Sequence, residues 1–318
     1  MTTPLLSVRD IEKRYGARIG CTGVGFDLYP GEVMGIVGES GSGKSTLLNT
    51  VLGQKISITS KKPQTTRDRI LGVVERPASQ VIFIDTPGIH KAKSLLNRKI
   101  VDQALSAVDD VDAILLMIDV TTRDLESEAI IIEQLEKRNK EVILALNKTD
   151  LIKGNEVLPL IAHYSALYAF KAVIPVSAKT GAQTDDLLKE VERCLPEGPR
   201  LFPEDTLTDV SEKFIASEMI REKVFRLTGM EIPYSIAVTV DSFKEKKRLI
   251  EIHATIHVDR NSQKGIIIGK GGQMLGKIGE KARLDIERMT GSKVMLKLFV
   301  RVTKNWSRDE KILKEFGY

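Results

Sequence analysis

Apolar residues along the chain fall into two alternating rhythms. The β-type runs GEVMGIVG, VIFIDTPG, AILLMIDV, EVILALNK and AVIPVSAK are separated by stretches with helical spacing, LLNRKIVDQALSAV, SEAIIIEQLEKRNK and TDDLLKEVERCL. Strands alternating with helices predict βαβ units: an α/β domain with a doubly wound, mostly parallel sheet covered by helices on both faces. The rhythm breaks at PEGPRLFPEDTLTD, where Pro196, Pro199 and Pro203 read as a linker. From about Asp209 a different order follows: a helix (SEKFIASEMIREKVFRLT), strands (YSIAVTVDSF and RLIEIHATIHV), a glycine-rich turn, a second helix and a last strand (KVMLKLFVRV). The expected division is a leader over 1–30, a first domain over 31–196, a linker over 197–209 and a smaller α+β domain over 210–318.

A length of 318 residues, with 42% hydrophobic and 29% charged positions, fits two domains of a soluble globular protein. No apolar run reaches the roughly 18 residues that span a bilayer, and charges enter early in MTTPLLSVRDIEKRYG, so a cytoplasmic protein is expected. Cys21 and Cys194 are too few for a disulfide framework or a cysteine-rich zinc site. His253 and His257 lie in EIHATIHV, which alternates like a strand, and are read as structural rather than metal-binding. The net charge of +5 is unevenly spread: between Asp259 and Lys304 there are 11 bases against 4 acids. That makes nucleic acid a candidate partner of the second domain, against the plainer reading of a solvated face.

Four short motifs at the ends of expected strands carry the chemistry of the first domain. In GIVGESGSGKSTLLN, Gly38, Gly43, Lys44 and Ser45 match G-x-x-x-x-G-K-[ST], a loop whose backbone N–H groups cradle phosphates while its Lys and Ser serve phosphate and Mg²⁺; Gly41 and Thr46 lie within the same stretch. Asp85-Thr86-Pro87-Gly88 puts Asp85 where it reaches Mg²⁺ through water and the Gly88 N–H where a γ-phosphate would lie. Asn147-Lys148-Thr149-Asp150 ends the next strand, and a carboxylate at Asp150 accepts from the N1–H and 2-amino group of guanine, which adenine cannot offer. Ser177-Ala178-Lys179 supplies backbone donors for guanine O6. Singly, the last motif and D-x-x-G mean little; four in this order point to a guanine nucleotide.

In the second domain, Gly269-Lys270-Gly271-Gly272 lies between the apolar GIII and a basic helix. A G-x-x-G loop in a KH module clamps about four nucleotides of single-stranded backbone, because glycines let phosphates approach a helix N-terminus. Lys264 and Lys277 flank it as further RNA-binding candidates.

From about Ser45 to Tyr318 the chain resembles the Era family of bacterial GTPases. The resemblance rests on GQKISITSKKPQTTRDRI, DTPGIH, NKTD, SAK, RNSQKGIIIGKGG and KLFVRVTKNW. It implies a P-loop GTPase domain followed by a type II KH domain. Lys44, Thr66 and Gly88 are then implied in hydrolysis, and Ser45, Thr66 and Asp85 around Mg²⁺, with Thr65 as the alternative switch threonine. GTP and GDP are the implied ligands, and the implied partners are the 3′ end of 16S ribosomal RNA and the 30S subunit during its assembly. A monomer with peripheral association at the inner membrane is also implied. Two departures bear on rate. Ile89 follows DTPG where many GTPases carry a water-orienting glutamine, as in the Era subgroup, and Gly41 stands where the family's loop has an asparagine that helps hold potassium. Slow, potassium-insensitive hydrolysis is expected.

Up to about Leu48 the chain instead resembles the ATP-binding subunit of an ABC transporter of the phosphonate or peptide type, with Tyr15 where such proteins stack adenine. The LSGGQ signature and an Asp-Glu Walker B end are absent from the sequence, so this reading is the alternative. A leader cut off from the rest of such a domain is expected to be weakly ordered.

Overall fold

The computed structural model describes residues 6–15, 18–28, 33–60, 65–88, 109, 111–122, 124–138, 140–228 and 236–316. In the leader, where weak order is expected, β1 (Leu6–Tyr15) and β2 (Arg18–Leu28) pair antiparallel as a two-stranded sheet that joins neither of the others. The helix expected over LLNRKIVDQALSAV and Ile89 lie outside the described residues.

The first domain is built on β3 (Val33–Gly38), β4 (Ile70–Glu75), β5 (Gln80–Asp85), β6 (Ala113–Asp119), β7 (Glu141–Asn147) and β8 (Ala172–Val176). Their order is β4-β5-β3-β6-β7-β8, parallel except for β4, which runs antiparallel to β5. Every residue of β6 is buried, as a central parallel strand covered on both faces must be. Helices α1 (Lys44–Leu52) and α4 (Thr184–Cys194) bury Leu47, Leu48, Leu187 and Val191 on one face. Helices α2 (Leu125–Glu136) and α3 (Gly154–Leu167) bury Ile131, Leu135 and Tyr164 on the other. Gly38, Asp85, Asn147 and Val176 therefore end their strands at one edge of the sheet, where open α/β folds bind ligands.

The second domain has a three-stranded sheet, order β11-β10-β9, from β9 (Ile236–Lys246), β10 (Leu249–Val258) and β11 (Lys293–Val302); β10 is antiparallel to β9 and parallel to β11. Helices α5 (Glu212–Leu227), α6 (Asn261–Ile268) and α7 (Gln273–Thr290) contribute Ile215, Met219, Ile267, Ile278, Ala282 and Ile286 to its core. A short α8 (Glu310–Glu315) closes the chain. Among the described residues, no helix is long and apolar enough to cross a membrane.

The proline-rich segment between the domains is not a free tether. Val73 N–H donates to Leu207 O at 2.9 Å and Thr208 Oγ1 to Leu71 O at 2.6 Å. The buried Gln80 side chain accepts from Leu201 and Phe202 N–H and donates to Phe202 O. The segment thus covers the edge strand β4 and satisfies backbone groups that would otherwise stay open. Val210 and Phe214 pack at the junction, and the buried apolar residues of both domains form one continuous cluster.

Candidate functional site

The phosphate loop runs from the end of β3 into α1. Gly43 sits at φ 104, and a Cβ there would lie 2.1 Å from Asn147 Nδ2, so both conformation and space demand glycine. Lys44 is buried and its Nζ donates to Gly38 O and Glu39 O, both at 2.9 Å, closing the loop on itself. Burial pulls the Lys44 ammonium down to about 8, against the attraction of Asp85 and Glu39. Gly88, from the D-x-x-G stretch, lies against the same loop: a Cβ on it would be 2.6 Å from Ser40 N.

Beyond Lys44 the candidate metal ligands meet. Ser45 Oγ donates to Asp85 Oδ2 at 2.6 Å and lies 2.8 Å from Thr66 Oγ1, although the three residues come from α1, β5 and the stretch before β4. Ser57 Oγ also donates to Asp85 Oδ2, at 3.0 Å, while Asp85 Oδ1 is buried with no hydrogen-bond partner. Burial raises the Asp85 carboxyl above its ordinary range, against Lys44 and these hydroxyls. An oxygen-only donor set with one unsatisfied carboxylate oxygen fits Mg²⁺, which takes hard oxygen ligands and compensates buried negative charge. The Thr66 hydroxyl reaches this point, and the carbonyl of Thr65 accepts from Arg221 Nη2 at 2.5 Å.

At the other end of the sheet edge, Asp150 Oδ1 accepts from Ser177 Oγ at 2.7 Å, bringing the two base-recognition motifs together. Lys148 pairs with Asp119, whose carboxylate also takes the Thr121 amide and the hydroxyls of Thr121 and Thr122. Burial works to raise the Asp119 carboxyl, but Lys148 and Thr121 outweigh it and hold it low. Lys179 is exposed, and Thr46 is half-buried in the first turn of α1.

Asn147 does more than its motif foretells. Its Nδ2 donates to Ser42 O at 2.6 Å and its Oδ1 accepts from Ala178 N–H at 2.9 Å, so one buried amide ties the phosphate loop to both base-recognition loops. The Ala178 amide, expected to face guanine O6, is here engaged by Asn147.

Sequence reasoning missed two groups. Glu39 is 8% exposed with Oε1 unpartnered, and burial, then Glu128 and Asp124, push its carboxyl up to about 7 while Lys44 opposes. The second group is a clamp from α5 onto the stretches flanking 61–64. Glu222 Oε1 accepts from Thr59 N–H at 3.0 Å, Arg226 donates to Thr59 O, and Lys55 Nζ bridges Glu222 and Asp285 at 2.6 and 2.9 Å. In the stretch before β4, Arg67 Nη1 donates to Ile236 O of β9 at 2.7 Å. Charges in a helical rhythm ordinarily read as a solvated face, so the signal in α5 pointed the wrong way.

The G-x-x-G loop joins α6 to α7 through a single turn, Lys270–Gly272. A Cβ on Gly269 (φ 72) would come within 2.7 Å of Met274 Cβ, so the tight join requires glycine. Lys270, Gly271 and Lys277 are exposed and Lys264 half-buried, with no ion pair on these lysines among the described residues. Beside the loop a groove runs between α7 and β11, lined by Gly272, Gly276 and Gly279, by Leu275, Leu296 and Leu298, and by one acid and one base, Glu280 and Arg283.

Comparison with known proteins bears on both sites. The family model described as 50S ribosome-binding GTPase matches residues 33–148, and the KH domain model matches 231–307. A protein of Geotalea daltonii named GTPase Era is 53% identical over 284 residues, 89% of this chain and 96% of its own length. The GTPase Era of Coxiella burnetii is 48% identical over 285 residues, again 89% and 96%. Among solved structures, an Aquifex aeolicus Era variant bound to GDP and AlF4⁻ superposes with a TM-score of 0.87 at 41% identity, covering 90% of this chain and 98% of that one. A structure of Era in complex with MgGDPNP and nucleotides 1506–1542 of 16S ribosomal RNA has the same score, identity and coverage. The transporter reading, confined to the opening stretch, does not extend to the chain as a whole.

Proposed function

The chain belongs to the GTPase Era family, and we propose on that footing that it cycles between GTP and GDP with Mg²⁺ as a switch that governs its hold on 16S ribosomal RNA. It is a GTPase with a KH domain, and its place of action is the 3′ end of that RNA during assembly of the 30S subunit, as a monomer. The observation that carries the reading is the meeting of Ser45, Thr66 and Asp85, because Thr66 comes from a stretch that hydrolysis can release.

In the nucleotide-bound protein Lys44 turns from the carbonyls of Gly38 and Glu39 to the phosphates, whose charge holds its proton in place. Ser45 and Thr66 would hold Mg²⁺ directly and Asp85 through water; bound there, the ion neutralises charge on the β- and γ-phosphate oxygens. The Gly88 N–H serves the γ-phosphate, Asp150 selects guanine, and Asn147 keeps the two ends of the site in register. Among the described residues no atom lies within 4 Å of where a Cβ on Gly41 would stand, but its φ of 93 is one that side-chain-bearing residues rarely adopt. The position lacks a potassium-ligating side chain, so hydrolysis is slow and little faster in potassium than in sodium.

Competition binding tests the reading: GTP and GDP should displace a labelled guanine nucleotide and ATP should not. Equal displacement by ATP would overturn it. Asp150→Asn should shift preference toward xanthine nucleotide, because the amide offers a donor where the carboxylate accepted. A turnover rate rising steeply from sodium to potassium would remove the role assigned to Gly41.

A further inference from the structure

Strand β11 has two faces of opposite character. Val294, Leu296, Leu298, Val300 and Val302 pack into the domain core, while the alternate positions Lys293, Met295, Lys297, Phe299 and Arg301 lie on the other face. Phe299 is 55% exposed, the one aromatic among the exposed large hydrophobic residues of the described chain. Lys297 and Arg301 stand two residues to either side, about 7 Å away along the strand. Neither makes an ion pair among the described residues.

Among the described residues no acid pairs directly with these cations. In register on β10 lie His253, Thr255 and His257, opposite Lys297, Phe299 and Arg301. His257 is occupied by the hydroxyls of Thr239 and Thr303 and the Phe316 ring lies against it, tilted by 41° with centroids 4.3 Å apart, so the C-terminal segment covers that end of the face. Of the nearby acids, Asp241 keeps its charge while accepting from the hydroxyls of Thr255 and Thr239, and Glu251 pairs with Lys246 and His253. What stays open is the β11 side of the sheet, at its edge, and the same strand forms one wall of the α7–β11 groove through Leu296 and Leu298.

We propose that single-stranded RNA leaving the α7–β11 groove passes round the edge of β11 onto this outer face, where Phe299 stacks on a base and Lys297 and Arg301 take the flanking phosphates. The inference rests on the RNA-binding reading of the KH domain and extends it to a surface outside the loop clamp. Cations without an ion-pair partner on either side of an exposed ring suit a polyanion whose bases present flat faces, and every base has one.

The test compares two RNA strands on the full chain by fluorescence anisotropy. One has about four nucleotides, enough for the loop clamp, and the other roughly ten, within the range of a stacking surface beyond it. Phe299→Ala should weaken the longer strand about tenfold and leave the shorter unchanged, since a stacked base contributes roughly that much. Phe299→Trp should keep or tighten binding. Lys297→Gln and Arg301→Gln should each lower the salt dependence of the longer strand by about 0.7 in log–log slope. All three side chains tested are solvent-facing, so the fold is retained. Equal binding of the longer strand by wild type and Phe299→Ala would overturn the outer-face path while leaving the loop clamp standing. Wild-type protein that binds neither strand would bring down the RNA reading and this inference together. A Phe299→Ala or Arg301→Gln defect seen only with vesicles of anionic lipid would assign the face to a membrane and overturn the proposal.

Discussion

Glu39 is a buried carboxylate in a loop that must receive phosphates, and its neighbours Glu128, Asp124 and Asp119 are acids with only Lys44 against them. Its folded-state value of about 7 lies above the ordinary 4.5. Between those two values the folded protein keeps a proton that the unfolded chain has released, so stability falls as pH rises through that window. The shift corresponds to about 2–4 kcal/mol when fully expressed. Glu39→Gln should therefore stabilise the nucleotide-free protein by that order at pH 7.5 and hardly at all at pH 5, read from urea unfolding at the two values. The same substitution should tighten nucleotide binding at pH 7.5, because it removes a negative charge from beside the phosphate site. An equal effect of Glu39→Gln at both pH values would show that Glu39 does not titrate in this range.

Helix α5 is buried around most of its circumference, and its charges meet partners from both domains. Glu222 is fully buried and holds Lys55, Lys223 and the Thr59 amide; Asp285 on α7 completes the network at 15% exposure. Burial works to raise the Glu222 carboxyl, but hydrogen bonds from Lys223 and Lys55 outweigh it and hold it below its ordinary value. Removing one partner of a buried pair leaves the other charge stranded, at about 3–5 kcal/mol. Glu222→Gln should cost about 3 kcal/mol in urea unfolding at neutral pH, and Asp285→Asn less, because water already reaches that carboxylate. A depressed carboxylate contributes stability that is lost as pH falls through its folded value. The gap between wild type and Glu222→Gln should therefore narrow below pH 4.5, the ordinary glutamate value. A larger cost for Asp285→Asn would place the centre of the network elsewhere.

At the scale of the whole molecule, a continuous apolar cluster and the α5 clamp join the domains, and the single tryptophan reports on the far one. Trp306 is fully buried with Ala237 and Leu313 and lies 5.6 Å from the ring of Phe316, so it packs rather than stacking on a base. Unfolding followed by Trp306 fluorescence and by far-ultraviolet dichroism should give one coincident transition. GTP bound in the first domain should move it by the linkage relation, about 2.7 kcal/mol at a hundredfold excess over Kd. A Trp306 transition indifferent to nucleotide would mean that the domains unfold independently.

The sequence by itself determined the class of sheet, the strands that end in the nucleotide motifs, and the glycine turn before α7. Each is a local pattern: periodicity over one or two turns of chain, or a motif whose hydrogen bonds close within a few residues. Tertiary structure alone decided the relations between distant residues. Asn147 reaches Ser42 across 105 positions of chain and Lys55 reaches Asp285 across 230, and nothing in either neighbourhood announces the partner. The proline-rich segment reads as a linker because its composition forbids helix and central strand, yet Gln80 and the open edge of β4 give its backbone groups somewhere to bond. In the sequence SEKFIASEMIREKVFRLT is legible as a helix, but nothing in it says that Glu218, Arg221 and Glu222 are buried, because charge ordinarily seeks water. Glu218 and Arg221 pair with each other on the helix, and the first domain adds the Thr65 carbonyl to Arg221 and the Lys55 ammonium to Glu222, partners that let those side chains be buried.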